Sequence, residues 1–132
     1  MSENLDLARS SYADWERGDF GSAEWADANI EVVVVDGPEP GRWHGLDGMA
    51  EAVRRFLTEW QDFTIEVVQA RELGDGRVLM LVRHKGRGRT SGMDLARVVG
   101  GANVLDVRDG KVIRFTAYWD RDRALADLGL KE

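Results

Sequence analysis

The sequence contains no cysteine, and only two histidines and two prolines among its 132 residues. The absence of cysteine excludes disulfides, thiolate nucleophiles and cysteine-ligated zinc or iron–sulfur sites. Two histidines are too few for a histidine-rich metal site. No phosphate-binding loop or dinucleotide fingerprint is present either. We therefore expect neither a metal nor an organic cofactor.

Long apolar runs and clustered cations are also scarce. No apolar stretch approaches the ~20 residues of a membrane span, and the acidic N-terminus lacks the basic and apolar regions of a signal peptide. Eighteen Lys and Arg stand against 24 Asp and Glu, for a net charge of -6. Proteins that bind nucleic acids or anionic membranes need clustered positive charge instead. These features predict one cytoplasmic domain over residues 1–132, without a nucleic-acid or membrane partner.

Tryptophan, in contrast, is plentiful. Five tryptophans are spread along the chain rather than clustered: Trp15, Trp25, Trp43, Trp60 and Trp119. So much aromatic surface must be buried or must line something. It either fills the core or forms an apolar pocket that stacks a flat ligand.

Apolar spacing of three and four residues predicts three helices in the first half of the chain. The first covers residues 3–17, and a short second helix covers residues 22–28 with Ser22 as its N-cap. The third covers residues 48–60 with Asp47 as its N-cap. Residues 121–128 add a short helix at the C-terminus.

Alternating and β-branched segments predict the strands. The first is 30–35, and four more follow the third helix: 63–72, 77–85, 95–107 and 111–119. Helices grouped before a run of hairpin-connected strands indicate an α+β fold. We expect a cone-shaped, curved antiparallel sheet with the three N-terminal helices over its concave face, enclosing a cavity.

Four segments carry a resemblance to a known family. They are Trp-Glu-Arg-Gly-Asp-Phe at 15–20, Val-Asp-Gly-Pro at 35–38 ahead of Trp43-His-Gly, the hairpin at 104–113, and Ala-Tyr-Trp-Asp at 117–120 followed by 124–130. Over nearly its whole length the chain resembles the SnoaL-like and ketosteroid-isomerase-like branches of the nuclear transport factor 2-like superfamily. The resemblance implies a small-molecule pocket and a homodimer, but not one activity, because this fold hosts isomerases, dehydratases, cyclases, epoxide hydrolases and non-catalytic binders.

The resemblance singles out Asp36 and Asn103 as candidate catalytic residues. Asp36 matches the catalytic aspartate of ketosteroid isomerases, and a carboxylate at the rim of an apolar cavity loses hydration and becomes a better base. An aspartate before Gly-Pro is also an ordinary turn former. Asn103 matches the acidic oxyanion donor of those enzymes and offers an amide instead. Their tyrosine donor matches Ser11, with Tyr12 as its neighbour.

Two more candidates, His84 and Arg97, follow from strand alternation together with the resemblance. Both side chains are expected on the cavity side of their strands. His84 is either a general acid or base or an exposed residue near a strand end. Arg97 either binds an anion or forms a structural ion pair with Asp36 or Asp94. His44, in contrast, is interpreted as structural.

The expected ligand-binding walls are Trp15, Phe56, Met80, Phe115 and Trp119. The last two depend on the register of the final hairpin, because a slip of one residue inverts the faces of a strand. A two-residue turn at 109–110 would place Thr116 and Tyr118 on the face of Asn103. A three-residue loop would place Phe115 and Trp119 there, which the resemblance favours.

The sequence is compatible with three functions. The first is a cofactor-independent isomerase, cyclase or dehydratase that acts on a hydrophobic or polyketide-like substrate with Asp36 as base. The second is a non-catalytic protein that binds a hydrophobic ligand. The third is an oligomerisation module whose cavity is filled by its own side chains. Leu79 and Leu81 on the outer sheet face are compatible with a homodimer.

Overall fold

The computed structural model of the protein describes residues 3–17, 24–36, 40–88, 92 and 100–130. Within these ranges the chain forms three helices and six strands. Segments with the helical spacing of apolar residues become helices, and segments with the two-residue spacing become strands. In order they are α1 (Glu3–Glu16), β1 (Ala26–Val34), β2 (Gly41–His44), α2 (Gly45–Glu59), β3 (Trp60–Gly74), β4 (Arg77–Gly88), β5 (Gly101–Arg108), β6 (Lys111–Tyr118) and α3 (Arg121–Asp127).

The strands form one curved, open sheet in the order β2-β1-β6-β5-β4-β3. The α+β class is confirmed, but the sheet is mixed rather than antiparallel, because β1 runs parallel to β6. The prediction followed the turns between consecutive strands, which do give antiparallel pairs from β3 to β6. Strand β1 has its partner far along the chain, and no local turn specifies its direction.

Two apolar clusters lie on the two faces of the sheet. The inner cluster joins Ala8 and Tyr12 of α1 and Met49 of α2 to the inward residues of the strands. The outer cluster joins Ala124 and Leu125 of α3 to outward residues such as Leu79. Leu79 is only 1% exposed, so it is covered within the monomer and is not available to a second copy. The homodimer stays a prediction.

The predicted helix at 22–28 is wrong in its described part. Residues 24 and 25 form a turn, and residues 26–28 extend β1. The backbone carbonyl of Trp25 accepts from the amide of Val112 at 2.8 Å, and Ala26 pairs with the same residue. Pairing with β6 and burial of Trp25 therefore override the helical propensity of this alanine-rich segment. Ser22 lies outside the described residues, so two helices, not three, precede β3 in the described chain.

Helix α2 begins three residues earlier than predicted. His44 occupies the N-cap position in an extended conformation and makes no side-chain cap hydrogen bond. Asp47, the predicted cap, instead lies in the first turn, where its negative charge interacts favourably with the positive end of the helix dipole. The four-residue strand β2 just before the helix was not foreseen, because a strand so short carries almost no periodic signal.

The predicted strand at 95–107 is described only from residue 100 onward. Asp94 and Arg97 therefore lie outside the described residues. Strand β4 continues beyond its predicted end at residue 85 through residues 86–88, and the amide of Gly92 donates to the carbonyl of Gly88 at 2.9 Å. Among the described helices, none has the length and hydropathy that crossing a membrane requires.

The last hairpin combines features of both predicted registers. Its turn has two residues, Asp109 and Gly110, both with positive φ (52° and 75°) as a primed turn requires. A bulge then adds Ile113, since Asp106 pairs with Arg114 while Val107 pairs with Val112. The extra residue turns every later side chain of β6 to the opposite face.

Candidate functional site

A cavity of about 410 Å³ lies between α2 and the inner face of the sheet. Its walls are predominantly aromatic, since seven of the lining side chains carry Phe or Trp rings: Trp15, Trp43, Phe56, Trp60, Phe63, Phe115 and Trp119. A concave, largely apolar site with a few polar groups is the usual form of a small-molecule site. The cavity therefore has room for a ligand and is not filled by the protein's own side chains.

The aromatic rings form two groups. The first ring cluster contains Tyr12, Trp15, Trp25 and Phe115, with neighbouring ring centroids 4.6 to 6.4 Å apart. The second ring cluster contains Phe56, Trp60, Phe63, His84 and Trp119, with centroids 4.5 to 6.3 Å apart. At these distances aromatic rings attract one another, so the rings within each cluster hold one another in position.

The hairpin bulge brings Phe115 and Trp119 to the cavity. With Ile113 as the extra residue, Leu105 lies opposite Phe115 and Asn103 lies opposite Ala117. Asn103, Phe115, Ala117 and Trp119 all line the cavity. Tyr118 also borders the cavity, but it belongs to the outer cluster under α3, and its hydroxyl donates to Asp127.

Asn103 is buried and bonded to Tyr12. Its Nδ2 donates to the Tyr12 hydroxyl oxygen at 2.5 Å, and the two side chains are 4% and 0% exposed. Burial raises the pKa of the Tyr12 phenol far above its usual range, and the hydrogen bond from Asn103 offsets part of that rise. The phenol therefore stays neutral and keeps its own proton, and Asn103 keeps a second N–H and its carbonyl oxygen.

His84 brings a neutral imidazole to the cavity. Its ring lies between Phe63 and Trp119, with centroids at 5.7 and 5.4 Å. A Cβ on Gly101 would lie 3.0 Å from His84 Cε1, so the imidazole covers this glycine. Burial lowers the pKa of His84 to about 4. At neutral pH the ring therefore offers one N–H donor and one acceptor nitrogen.

The depressed pKa of His84 predicts acid sensitivity. A histidine protonates near pH 6.5 when unfolded and near 4 in the fold, so the folded state disfavours its charged form. This contribution is fully present above about pH 6.5 and is lost progressively down to about pH 4. The loss amounts to about 2 to 3 kcal/mol, and urea unfolding across this range measures it.

The chain offers a matched control, because its other histidine, His44, is exposed. His84→Gln should flatten the decline between pH 6.5 and 4, whereas His44→Gln should leave it unchanged. An equally steep decline in His84→Gln would contradict the assignment of this loss to His84.

The structure places the remaining predicted site residues in three different situations. Asp36 is not among the lining residues; its Oδ1 accepts from the backbone N–H of Trp119 at 2.6 Å. Met80 is fully buried in the inner cluster and does not line the cavity. Arg97 lies outside the described residues. Of the predicted residues, the cavity brings together Asn103, His84, Trp15, Phe56, Phe115 and Trp119, and their roles stay predictions.

Three aromatic walls were not predicted: Trp43, Trp60 and Phe63. Trp60 and Phe63 both face inward because β3 bulges between Gln61 and Thr64, where Asp62 has a φ of 53°. Three residues of simple alternation would have placed them on opposite faces. The number of tryptophans was a signal for Trp43 and Trp60, whereas no sequence signal singled out Phe63. Among the described residues, no group of three His, Asp or Glu side chains could hold a metal ion.

Residues 8–115 match the model of the SnoaL-like domain. The chain belongs to the SnoaL-like domain family. No curated protein matches the sequence, whereas solved structures resemble this SnoaL-like chain throughout. A nuclear transport factor 2-like protein of unknown function from Burkholderia pseudomallei is 19% identical with a TM-score of 0.76, over 96% of this chain and 97% of that one.

Two further structures similar to the SnoaL-like chain contain small molecules. TerC, co-crystallised with polyporic acid, is 22% identical over 96% of this chain and 98% of its own, with a TM-score of 0.73. A hypothetical protein from Catenulispora acidiphila, with a ketosteroid isomerase-like fold and in complex with trimethylamine, is 15% identical over 96% and 94%, with a TM-score of 0.67. At these identities the likeness establishes the fold alone.

Proposed function

We propose that this SnoaL-like protein binds a small, flat, hydrophobic molecule in the cavity beneath α2. The observation that carries the proposal is the cavity of about 410 Å³, whose walls include rings from both aromatic clusters. Flat aromatic surfaces attract other flat π-systems through offset and edge-on contacts. A polycyclic, polyketide-like compound fits these walls better than a long flexible chain.

The polar groups of the cavity indicate which charge and which hydrogen-bonding groups the buried part of the ligand should carry. Inside the cavity, the neutral imidazole of His84 and the amide of Asn103 offer hydrogen bonds without a charge. The charged lining residues are Arg55 and Glu59, which lie on exposed positions of α2. Burying an ion without a partner is costly. The ligand should therefore be uncharged where it is buried and carry a hydroxyl or carbonyl oxygen that bonds to the amide or the imidazole.

Catalysis is the second candidate function. A cofactor-independent isomerase, cyclase or dehydratase with Asp36 as base needs that carboxylate beside the substrate. Asp36 accepts from the Trp119 amide instead, which favours binding over this mechanism. The observation that keeps catalysis open is His84, whose neutral imidazole inside the cavity can accept a proton. Loss of turnover in His84→Gln with retained ligand affinity would support it.

A set of four naphthalenes tests the binding proposal: 2-naphthol, naphthalene, 2-naphthoate and (2-naphthylmethyl)trimethylammonium. Isothermal titration calorimetry should show that 2-naphthol binds tightest, because only it combines a neutral ring with a hydroxyl. Ala117→Leu should weaken 2-naphthol binding by about tenfold or more, since Ala117 lines the cavity opposite Asn103.

Ala126→Leu, on an exposed position of α3, is the control and should bind 2-naphthol as the parent protein does. Tighter binding of the ammonium compound would point to an aromatic cage for cations and overturn the proposal. Unchanged affinity in Ala117→Leu would show that the binding site lies elsewhere.

A further inference from the structure

We infer that Asp36 is a positioning residue, which anchors the backbone of Trp119 and thereby holds one wall of the cavity in place. For its ligand readout this inference rests on the proposed binding function. Its structural readout is independent of any ligand.

Asp36 completes the hydrogen bonding at the end of the parallel pair formed by β1 and β6. The pair ends where Val34 lies beside Ala117, and the amide of Val35 donates to the Ala117 carbonyl at 3.0 Å. The next N–H on this edge of β6 belongs to Trp119, and a continued strand would offer it a backbone carbonyl. Asp36 Oδ1 takes that place at 2.6 Å. The side chain thus extends the ladder by one step after the strand has ended.

Trp119 is the centre of the second ring cluster, so its position affects several walls. Its indole centroid lies 5.8 Å from Phe56, 5.6 Å from Trp60 and 5.4 Å from His84. The next residue, Asp120, already caps α3 by accepting from the amides of Asp122 and Arg123. The segment between β6 and α3 is therefore very short, and strand ends without partners open readily. One backbone hydrogen bond here fixes the residue on which three other rings rest.

Asp36 lies beside residues that line the cavity but does not line it itself. Burial and Asp127 raise the pKa of Tyr118, and the negative charge of Asp36 adds to this rise, so Asp36 is near a phenol that packs under α3. Its Oδ2 is buried and has no hydrogen-bond partner among the described residues. A carboxylate that acts as a base on a bound ligand would line the cavity, and Asp36 is not among the lining residues.

Two substitutions separate an anchor from a base. Asp36→Ala removes the acceptor, and hydrogen exchange of the Trp119 amide, measured by NMR, should accelerate by about tenfold or more. The affinity for 2-naphthol should fall several-fold in the same variant. Asp36→Asn keeps a carbonyl oxygen that can accept from Trp119 and should restore both values to within about twofold of the parent protein. Asp127→Ala is the control, because Asp127 bonds to the Tyr118 hydroxyl and not to Trp119.

The two readouts also separate failure of this inference from failure of the proposed function. Unchanged Trp119 exchange in Asp36→Ala overturns the anchor, whatever 2-naphthol does. Loss of 2-naphthol binding in Asp36→Asn with normal exchange also overturns it, because the carboxylate would then act on the ligand itself. If 2-naphthol fails to bind the parent protein, the binding proposal fails, while faster exchange in Asp36→Ala and its rescue by asparagine still support the anchor.

Discussion

Replacing Gly101 with alanine is expected to cost about 2 to 3 kcal/mol of folding free energy and to displace the imidazole of His84. The added Cβ would lie 2.6 Å from the Tyr118 carbonyl oxygen and 3.0 Å from His84 Cε1. The carbonyl belongs to the neighbouring strand β6 and moves only if the sheet moves, so the imidazole must give way and β5 must shift as well. Urea unfolding measures the stability, and NMR titration follows His84.

Gly129→Ala provides the comparison for Gly101→Ala. Gly129 has a φ of 71°, and a Cβ added there would meet open space, so alanine carries only the cost of a left-handed backbone, about 1 kcal/mol. In Gly101→Ala, the pKa of His84 should rise from about 4 toward that of a solvated histidine. A Gly101→Ala protein as stable as its parent, with His84 unchanged, would contradict the close contact.

Breaking the Tyr12–Asn103 hydrogen bond is expected to have the second large effect. Tyr12→Phe leaves the Asn103 amide without this partner, and Asn103→Leu leaves the Tyr12 hydroxyl without it. Both groups are buried, and a buried polar group that loses its partner costs about 1 to 3 kcal/mol. Chemical denaturation of each single variant measures this cost.

A double-mutant cycle isolates the bond from the loss of the individual groups. The variant with both substitutions should lose clearly less free energy of unfolding than the sum of the two single variants. It removes both polar groups, so neither is left buried without its partner. Tyr118→Phe serves as the control: its hydroxyl donates to Asp127 at 3.2 Å in a part-buried position, and its loss should cost less than about 1 kcal/mol. Strict additivity of Tyr12→Phe and Asn103→Leu would contradict a direct bond.

The fold was predictable from the sequence wherever local pattern and tertiary pairing agree. The spacing of apolar residues predicted α1 and α2, and alternating and β-branched segments predicted the strands β3 to β6. The helix expected at 22–28 fails because Trp25 and Ala26 pair with Val112 on a strand more than 80 residues away. The helix or strand propensity of a short segment contains no information about a partner so far along the chain. The parallel direction of β1 is unpredictable for the same reason.

The site was predictable to the extent that strand alternation holds. Alternation and the family resemblance together predicted that His84, Asn103 and Trp119 face the cavity, and all three line it. Bulges at Asp62 and Ile113 change the alternation by one residue, which is why Trp60 and Phe63 were missed and the register of the last hairpin stayed open. Met80 has the predicted orientation, but it lies in the filled part of the interior. Depth along a curved sheet depends on packing, which periodicity does not encode.

The central claim is that a flat, uncharged molecule lies between the two ring clusters. A crystal structure of the protein with 2-naphthol tests it most directly. We expect the naphthalene ring beside Phe115 and Trp119, with its hydroxyl within about 3.2 Å of Asn103 or His84. A naphthol bound outside the cavity, or a cavity closed by the protein's own side chains, would contradict it.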